Sequence, residues 1–220
     1  MHKIVEPAIH YWGTPVVLIS TLNEDGTPNL SPMSSAWWLG WSCMLGLDAS
    51  SQTTENLKRN GECVLNLACV ENVQAVDRLA LLTGRAEIPL HKKMLGYAYV
   101  ADKFQAAGLT PESSLNVSPP RVKECLVQLE AVVKDMRPFA AKDARMAIPT
   151  CAIEVNIARA HVDESILMPP ELQRIDPDKW RPLIMSFRNF YGVSDRVHMS
   201  RLGKGPEDFY APWKLKGVAA

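Results

Sequence analysis

Long apolar runs are missing from this 220-residue chain. None approaches the roughly 20 residues needed to span a bilayer, so no membrane segment is expected. Net charge is missing as well: lysine plus arginine and aspartate plus glutamate both number 24. The molecule therefore has no long-range field to recruit nucleic acid or an anionic membrane, and any anion site must be local. The five cysteines, Cys43, Cys63, Cys69, Cys125 and Cys151, are odd in number and far apart, with no C-x-x-C and no paired histidine motif. That spacing excludes zinc and iron–sulfur sites and leaves reduced, buried thiols as the expectation. There is no G-x-S-x-G, no H-E-x-x-H, no pair of carboxylates at helical spacing and no G-x-G-x-x-G. Nucleophilic hydrolysis, zinc hydrolysis and a Rossmann dinucleotide site are thus unsupported, and no residue is assigned a catalytic or metal-binding role. The start, Met1-His2-Lys3-Ile4-Val5-Glu6-Pro7, meets an acid and a proline before any apolar stretch, unlike a secretory signal, so the cytoplasm is the expected location.

What is present is an ordinary globular composition, 47% hydrophobic and 22% charged, enough for one well-buried domain. Residues 16–22 read as an apolar strand, 23–28 as a hairpin turn with Gly26 free to take positive φ, and 29–38 as the returning strand. That return carries Ser31, Ser34 and Ser35 beside Met33, Trp37 and Trp38, a mixture suited to a flat ring with polar edges and one apolar face. Residues 42–48 add a third strand, giving the expectation of a meander. A helix is expected over 49–60, stopped by Gly61, then a strand over 62–67 and a helix over 70–82. A further helix is expected over 92–107, a surface loop over 109–120, and strands over 126–136 and 152–162. At least six strands with short helices point to a mainly β fold, a closed, Greek-key-like barrel with α insertions. Beyond Pro169 prolines break up the chain, and Arg188, Tyr191, Arg196, His198 and Arg201 form a basic, aromatic cluster that could fold over a neighbouring subunit's site.

The start of the helix at residues 50–56 is the sharpest local anion signal. Orphan amides and the positive end of the dipole favour a phosphate there, and Ser50, Ser51, Thr53 and Thr54 add donors. The plain alternative is that Ser51 only caps the helix while Thr53 and Thr54 are exposed.

Four runs, at residues 15–21, 26–35, 50–56 and 61–67, together with Asp102-Lys103-Phe104 before Gly108-Leu109 and Pro119-Pro120-Arg121-Val122, resemble the flavin reductase-like family of FMN-binding split barrels. The resemblance covers residues 11–162. It implies an FMN-binding split-barrel domain over residues 1–162 and a C-terminal extension over 163–220 that packs on the barrel or on a dimer partner. It implies FMN at the barrel mouth near a homodimer interface, with Asn29, Ser31, Pro32, Met33, Ser34 and Ser35 bordering the isoalloxazine and ribityl chain. Ser50, Ser51, Thr53 and Thr54 would bind the phosphate. Lys103 would neutralise the phosphate or sit near the ring, a solvated lysine being the alternative. The implied activity is an oxidoreductase in which NADH or NADPH docks transiently and electrons pass through FMN to a flavin or small-molecule acceptor. Two other readings stay open: a flavoredoxin-type electron carrier, and a split barrel holding a different phosphorylated ring such as pyridoxal phosphate or a deazaflavin.

Overall fold

The computed structural model describes residues 1–146, 148–204 and 210. Seven antiparallel strands make one sheet: β1 (Val17–Leu22), β2 (Pro28–Met33), β3 (Ala36–Leu39), β4 (Ser42–Asp48), β5 (Glu62–Leu67), β6 (Val127–Phe139) and β7 (Thr150–Val162). Their spatial order is β2-β1-β5-β6-β7-β4-β3. The two edge strands are therefore consecutive in sequence. Only residues 34 and 35 lie between them, and three residue steps reach at most about 11 Å. The edges must meet at that seam, so the sheet curls into a split barrel. The Gly46 amide donates to the Ser35 carbonyl at 2.8 Å there, carrying β4 up to the crossing. The expected three-strand meander is thus broken: residues 29–38 form two strands on opposite edges, because residues 34 and 35 leave the ladder.

Alternation along β1 explains how one strand serves two cores. Val17 and Ile19 point into the barrel with Leu45, Leu65, Leu129, Ile153 and Val155. Val16 and Leu18 point outward beneath a helical layer of α2 (Val73–Leu79) and α4 (Lys103–Ala107), where Leu30, Val76, Leu79, Phe104 and Leu183 pack. A strand buried on both faces reads as a continuous apolar run. Cys43, Cys63, Cys69 and Cys125 are buried free thiols, and burial pushes each of them up, that of Cys69 to about 11 and that of Cys43 to about 12.

The helix expected over 92–107 is two pieces. α3 (Leu90–Met94) ends before Gly96, which has φ 82°, and the chain then pairs residues 98–99 in parallel with Leu82–Thr83. α4 restarts after Asp102, whose carboxylate accepts the Gln105 amide at 2.9 Å. Met94 and Leu95, apolar at helical spacing, are 79% and 64% exposed. Spacing suggested a buried face that the packing does not provide.

In the C-terminal part, residues 184–186 and 189–191 form a hairpin on Trp12–Pro15, and Leu183 is buried in the outer core. Trp180 packs against the barrel core. Arg188, Tyr191, Arg196, His198 and Arg201 are all exposed on this chain, with Arg196 paired to Asp178.

A buried carboxylate fastens the 109–120 loop to the barrel. Glu130, fully buried on β6, accepts the Leu115 amide at 2.9 Å, the Asn116 amide at 2.5 Å and His161 Nε2 at 2.7 Å. Burial alone would raise its pKa, and these three bonds together hold it below the usual glutamate range. The contribution to stability is in place above about pH 4.3 and is lost as pH falls through the lower folded value. Glu130→Ala is expected to cost about 3 kcal/mol, read from the urea midpoint, with new proteolytic cleavage inside residues 109–120.

Candidate functional site

α1 (Gln52–Asn60) has its stop and start written locally. Ser51 is the N-cap, with φ −75° and ψ 150°, and Gly61 closes the helix at φ 69°, donating its amide to the Leu57 carbonyl. The helix start forms one wall of a cavity of about 250 Å³. Ser31, Pro32 and Met33 of β2 form another wall, Leu47 and Asp48 end β4 beside it, and Lys103 enters from α4. His91, Lys92, Leu95 and Tyr97, from the segment between α2 and α4, complete the enclosure.

The hydroxyl protons at the helix start are unequally committed. Ser50 gives both its amide and its hydroxyl to Asp48 Oδ1, each at 2.7 Å. Ser51 Oγ accepts the Thr54 amide at 3.1 Å and donates to Thr54 Oγ1 at 2.9 Å. Thr54 Oγ1 in turn donates to the Asp48 carbonyl at 2.8 Å. Three of the four hydroxyls are therefore consumed within the turn. Thr53 differs: its Oγ1 accepts Asn29 Nδ2 at 3.1 Å and donates to no group among the described residues. With the Ser51 amide on the Asp48 carbonyl and the Thr54 amide on Ser51, the amides of Gln52 and Thr53 are the leftover donors of the helix end.

Lys103 supplies the charge. It is only 2% exposed, which overturns the solvated alternative, and it has no hydrogen-bond or ion-pair partner among the described residues. Burial pushes its pKa down to about 8, with Lys92 adding repulsion. Thr53 and Thr54 are likewise buried, at 3% each, rather than exposed. An unpartnered buried cation, a free hydroxyl and two free amides suit a tetrahedral anion. The aliphatic lining from Pro32, Met33 and Leu47 suits the apolar part of the same ligand.

The other basic side chains around the cavity already have partners. Asp48 Oδ2 takes His91 Nε2 at 3.0 Å and Lys92 Nζ at 3.1 Å. Burial raises the Asp48 carboxyl, and the bonds from Ser50, His91 and Lys92 more than offset it, holding it at about 2. Arg85 donates to the Ser50 carbonyl at 3.2 Å.

Of the residues expected at the site, Ser31, Pro32, Met33, Ser51, Thr53 and Lys103 share the cavity wall. Ser50 and Thr54 lie behind it, held by Asp48. Asn29 is 1% exposed and sits behind Thr53. Ser34 and Ser35 lie at the barrel seam, where Ser35 Oγ meets the Tyr11 hydroxyl at 3.1 Å. Trp38 packs against the barrel core and Trp37 is 58% exposed, as alternation along a strand requires. Sequence reasoning missed Asp48, Gln52, His91, Lys92 and Tyr97. The Asp-x-Ser spacing at 48–50, an Asx-turn pattern, was the one available signal.

Residues 9–194 match the family model described as "Flavin reductase like domain", extending past residue 162, where the resemblance in sequence stops. A protein of Bacillus subtilis (strain 168), the uncharacterized YdfE, is 42% identical over 195 residues, covering 89% of this chain and 91% of that protein. Among solved structures, the flavoredoxin of Desulfovibrio vulgaris (Miyazaki F) aligns with a TM-score of 0.73 at 20% identity, over 93% of this chain and 100% of that one. An FMN-binding domain of a flavin reductases-like enzyme from Shewanella baltica OS155 aligns with a TM-score of 0.62 at 16% identity, over 85% and 90% of the two chains.

The buried amine makes a prediction that needs no ligand. Its folded value is about 8, against about 10.4 in an unfolded chain. Between those values the unfolded chain binds more protons, so this group makes stability rise with pH across that window and leaves its full penalty below it. Lys103→Met is expected to stabilise the ligand-free protein at pH 7 by on the order of 2–3 kcal/mol, with the gain shrinking as pH rises above about 8 and mostly gone by about pH 10. Denaturant melts at pH 7 and pH 10 check it.

Proposed function

The chain belongs to the flavin reductase-like family, and from that premise we propose that it is an FMN-dependent oxidoreductase with NADH or NADPH as its transient donor. The observation that carries this reading is Lys103, a buried amine without a partner, facing the free donors of the α1 start. The FMN phosphate takes the Lys103 amine, the Thr53 hydroxyl and the amides of Gln52 and Thr53. Ser31, Pro32 and Met33 border the remainder of the flavin. When bound, FMN supplies two-electron chemistry, accepting hydride from a reduced nicotinamide and passing electrons to a flavin or small-molecule acceptor. The protein's part is to bind, orient and shield. Ser51 and Thr54 hold the helix end in place, and Asp48 ties the α3 segment against the cavity through His91 and Lys92.

The size of the cavity supports a second copy of the chain at its mouth. A volume of about 250 Å³ lies below the roughly 300–1,000 Å³ of sites that enclose a whole ligand of this size. The seam beside Ser35 leads directly into β3, where Trp37 and Leu39 share one face and are 58% and 77% exposed, with Trp41 at 47% just beyond. Such a patch is suited to burial in a homodimer.

The test begins with titration of the purified protein with FMN, followed by absorption and flavin fluorescence, then addition of NADH or NADPH with and without free FMN. Bound FMN that bleaches rapidly on NAD(P)H supports the reductase. Bleaching only by a reduced protein donor assigns an electron carrier instead, and no FMN binding sinks the cofactor assignment. Because phosphate binding favours the protonated amine, FMN affinity is expected to fall as pH rises through about 8, the free value of Lys103, while riboflavin affinity stays level. Ser51→Ala is expected to cost about 1 kcal/mol of stability through the lost cap, with a smaller effect on FMN than Thr53→Val.

The interface has its own measurement. Trp37→Arg is expected to convert a dimer into a monomer by size-exclusion light scattering and to weaken FMN binding about tenfold or more. A wild-type protein that is monomeric at micromolar concentration would sink the dimer.

A further inference from the structure

Behind the cavity wall lies a polar network that reaches it through Gln52 and Thr53. Its orientation can be worked out from Arg59, whose guanidinium can only donate. Arg59 and Gln52 Nε2 donate to Asn56 Oδ1, at 2.8 and 2.9 Å. The Asn56 amide nitrogen must then face Thr21 Oγ1, at 2.9 Å, and Asn23 Oδ1, at 3.0 Å. Asn29 joins from β2, donating its two amide protons to Thr21 Oγ1 at 3.3 Å and Thr53 Oγ1 at 3.1 Å. Asn29 Oδ1 is buried and without a hydrogen-bond partner. It abuts Gly84, where a Cβ would come within 2.4 Å of it. The opposite orientation of the Asn29 amide would set an NH2 group with two unmet protons against that glycine. A carbonyl oxygen against a Cα–H is the cheaper arrangement.

We propose that Asn29 is a positioning residue: by donating to Thr53 Oγ1 it occupies the oxygen's acceptor side and leaves the Thr53 hydroxyl proton directed at the bound phosphate. A hydroxyl carries one proton and can both accept and donate. With a side-chain carbonyl in place of the NH2 group, the Thr53 proton would turn inward and be lost to the ligand. Gly84 belongs to the same device, since only the absence of a Cβ lets Asn29 sit where both donations reach. This inference rests on the reading of the cavity as the FMN phosphate site.

The experiment is a double-mutant cycle on the full chain, with FMN and riboflavin as the two ligands. Thr53→Val removes the hydroxyl and is expected to lower FMN affinity about tenfold, leaving riboflavin unchanged. Asn29→Ala is expected to lower FMN affinity about three- to tenfold alone and to add nothing in the Thr53→Val background. Should Asn29→Ala not fold, Gly84→Ala, which displaces the same amide, takes its place in the cycle with the same expectation. If the second substitution keeps its full factor in the Thr53→Val background, or weakens riboflavin as much as FMN, then Asn29 acts through the fold and the inference is overturned. If Thr53→Val itself leaves FMN affinity unchanged, the phosphate reading fails first and the inference with it.

Discussion

A lysine side chain buried to 2% exposure with nothing to pair its amine is costly, and the rest of the site is arranged around that cost. Lys103 enters from α4, beneath which Phe104 and Ala107 are locked into the outer core. The packing of those neighbours sets where its backbone sits beside the cavity. Lys92, already committed to Asp48, adds repulsion. The α1 start contributes amides and a dipole of the same sign. The positive character of the cavity is what supports reading it as an anion site.

The barrel makes this concentration of donors possible. Because β2 and β3 are consecutive strands on opposite edges, the sheet closes at residues 34 and 35 and brings the wall formed by β2 to the end of β4 and the start of α1. β1 serves both the barrel interior and the helical layer, so α2 and α4 are seated on the outside of the strand next to that wall. Among the described residues no helix is long and apolar enough to cross a membrane.

Much of the scaffold was legible in the sequence, and the failures have identifiable causes. β1, β4, β5, β6, β7 and α1 follow from apolar patterning and capping, which act over a few residues. The single strand expected over 29–38 failed because leaving one sheet edge for the other costs no change in composition. The helix expected over 92–107 failed because Met94 and Leu95 lie at helical spacing but face solvent, and Gly96 takes a left-handed conformation between them and α4. At the site, the hydroxyl-rich run was visible and its internal division of labour was not. Asp48, His91 and Lys92 were missed because an aspartate at a strand end and a basic pair on a short helix carry no signal until they face each other.

The sequence alone determined where α1 begins and ends, since Ser51 and Gly61 act through bonds to residues three or four positions away. It also determined the apolar strands of the barrel, the family, and the placing of a donor-rich segment beside Ser31, Pro32 and Met33. Only the tertiary structure decided which donors are free. Thr53 keeps its proton because Asn29, 24 positions earlier, donates to its oxygen, whereas Ser50, Ser51 and Thr54 spend theirs within the turn. Lys103 becomes a buried amine of lowered pKa only because α4 carries it out of solvent. Hydrogen-bond allocation and desolvation are competitions among groups that meet in space, and their outcome depends on contacts that no local run of residues contains.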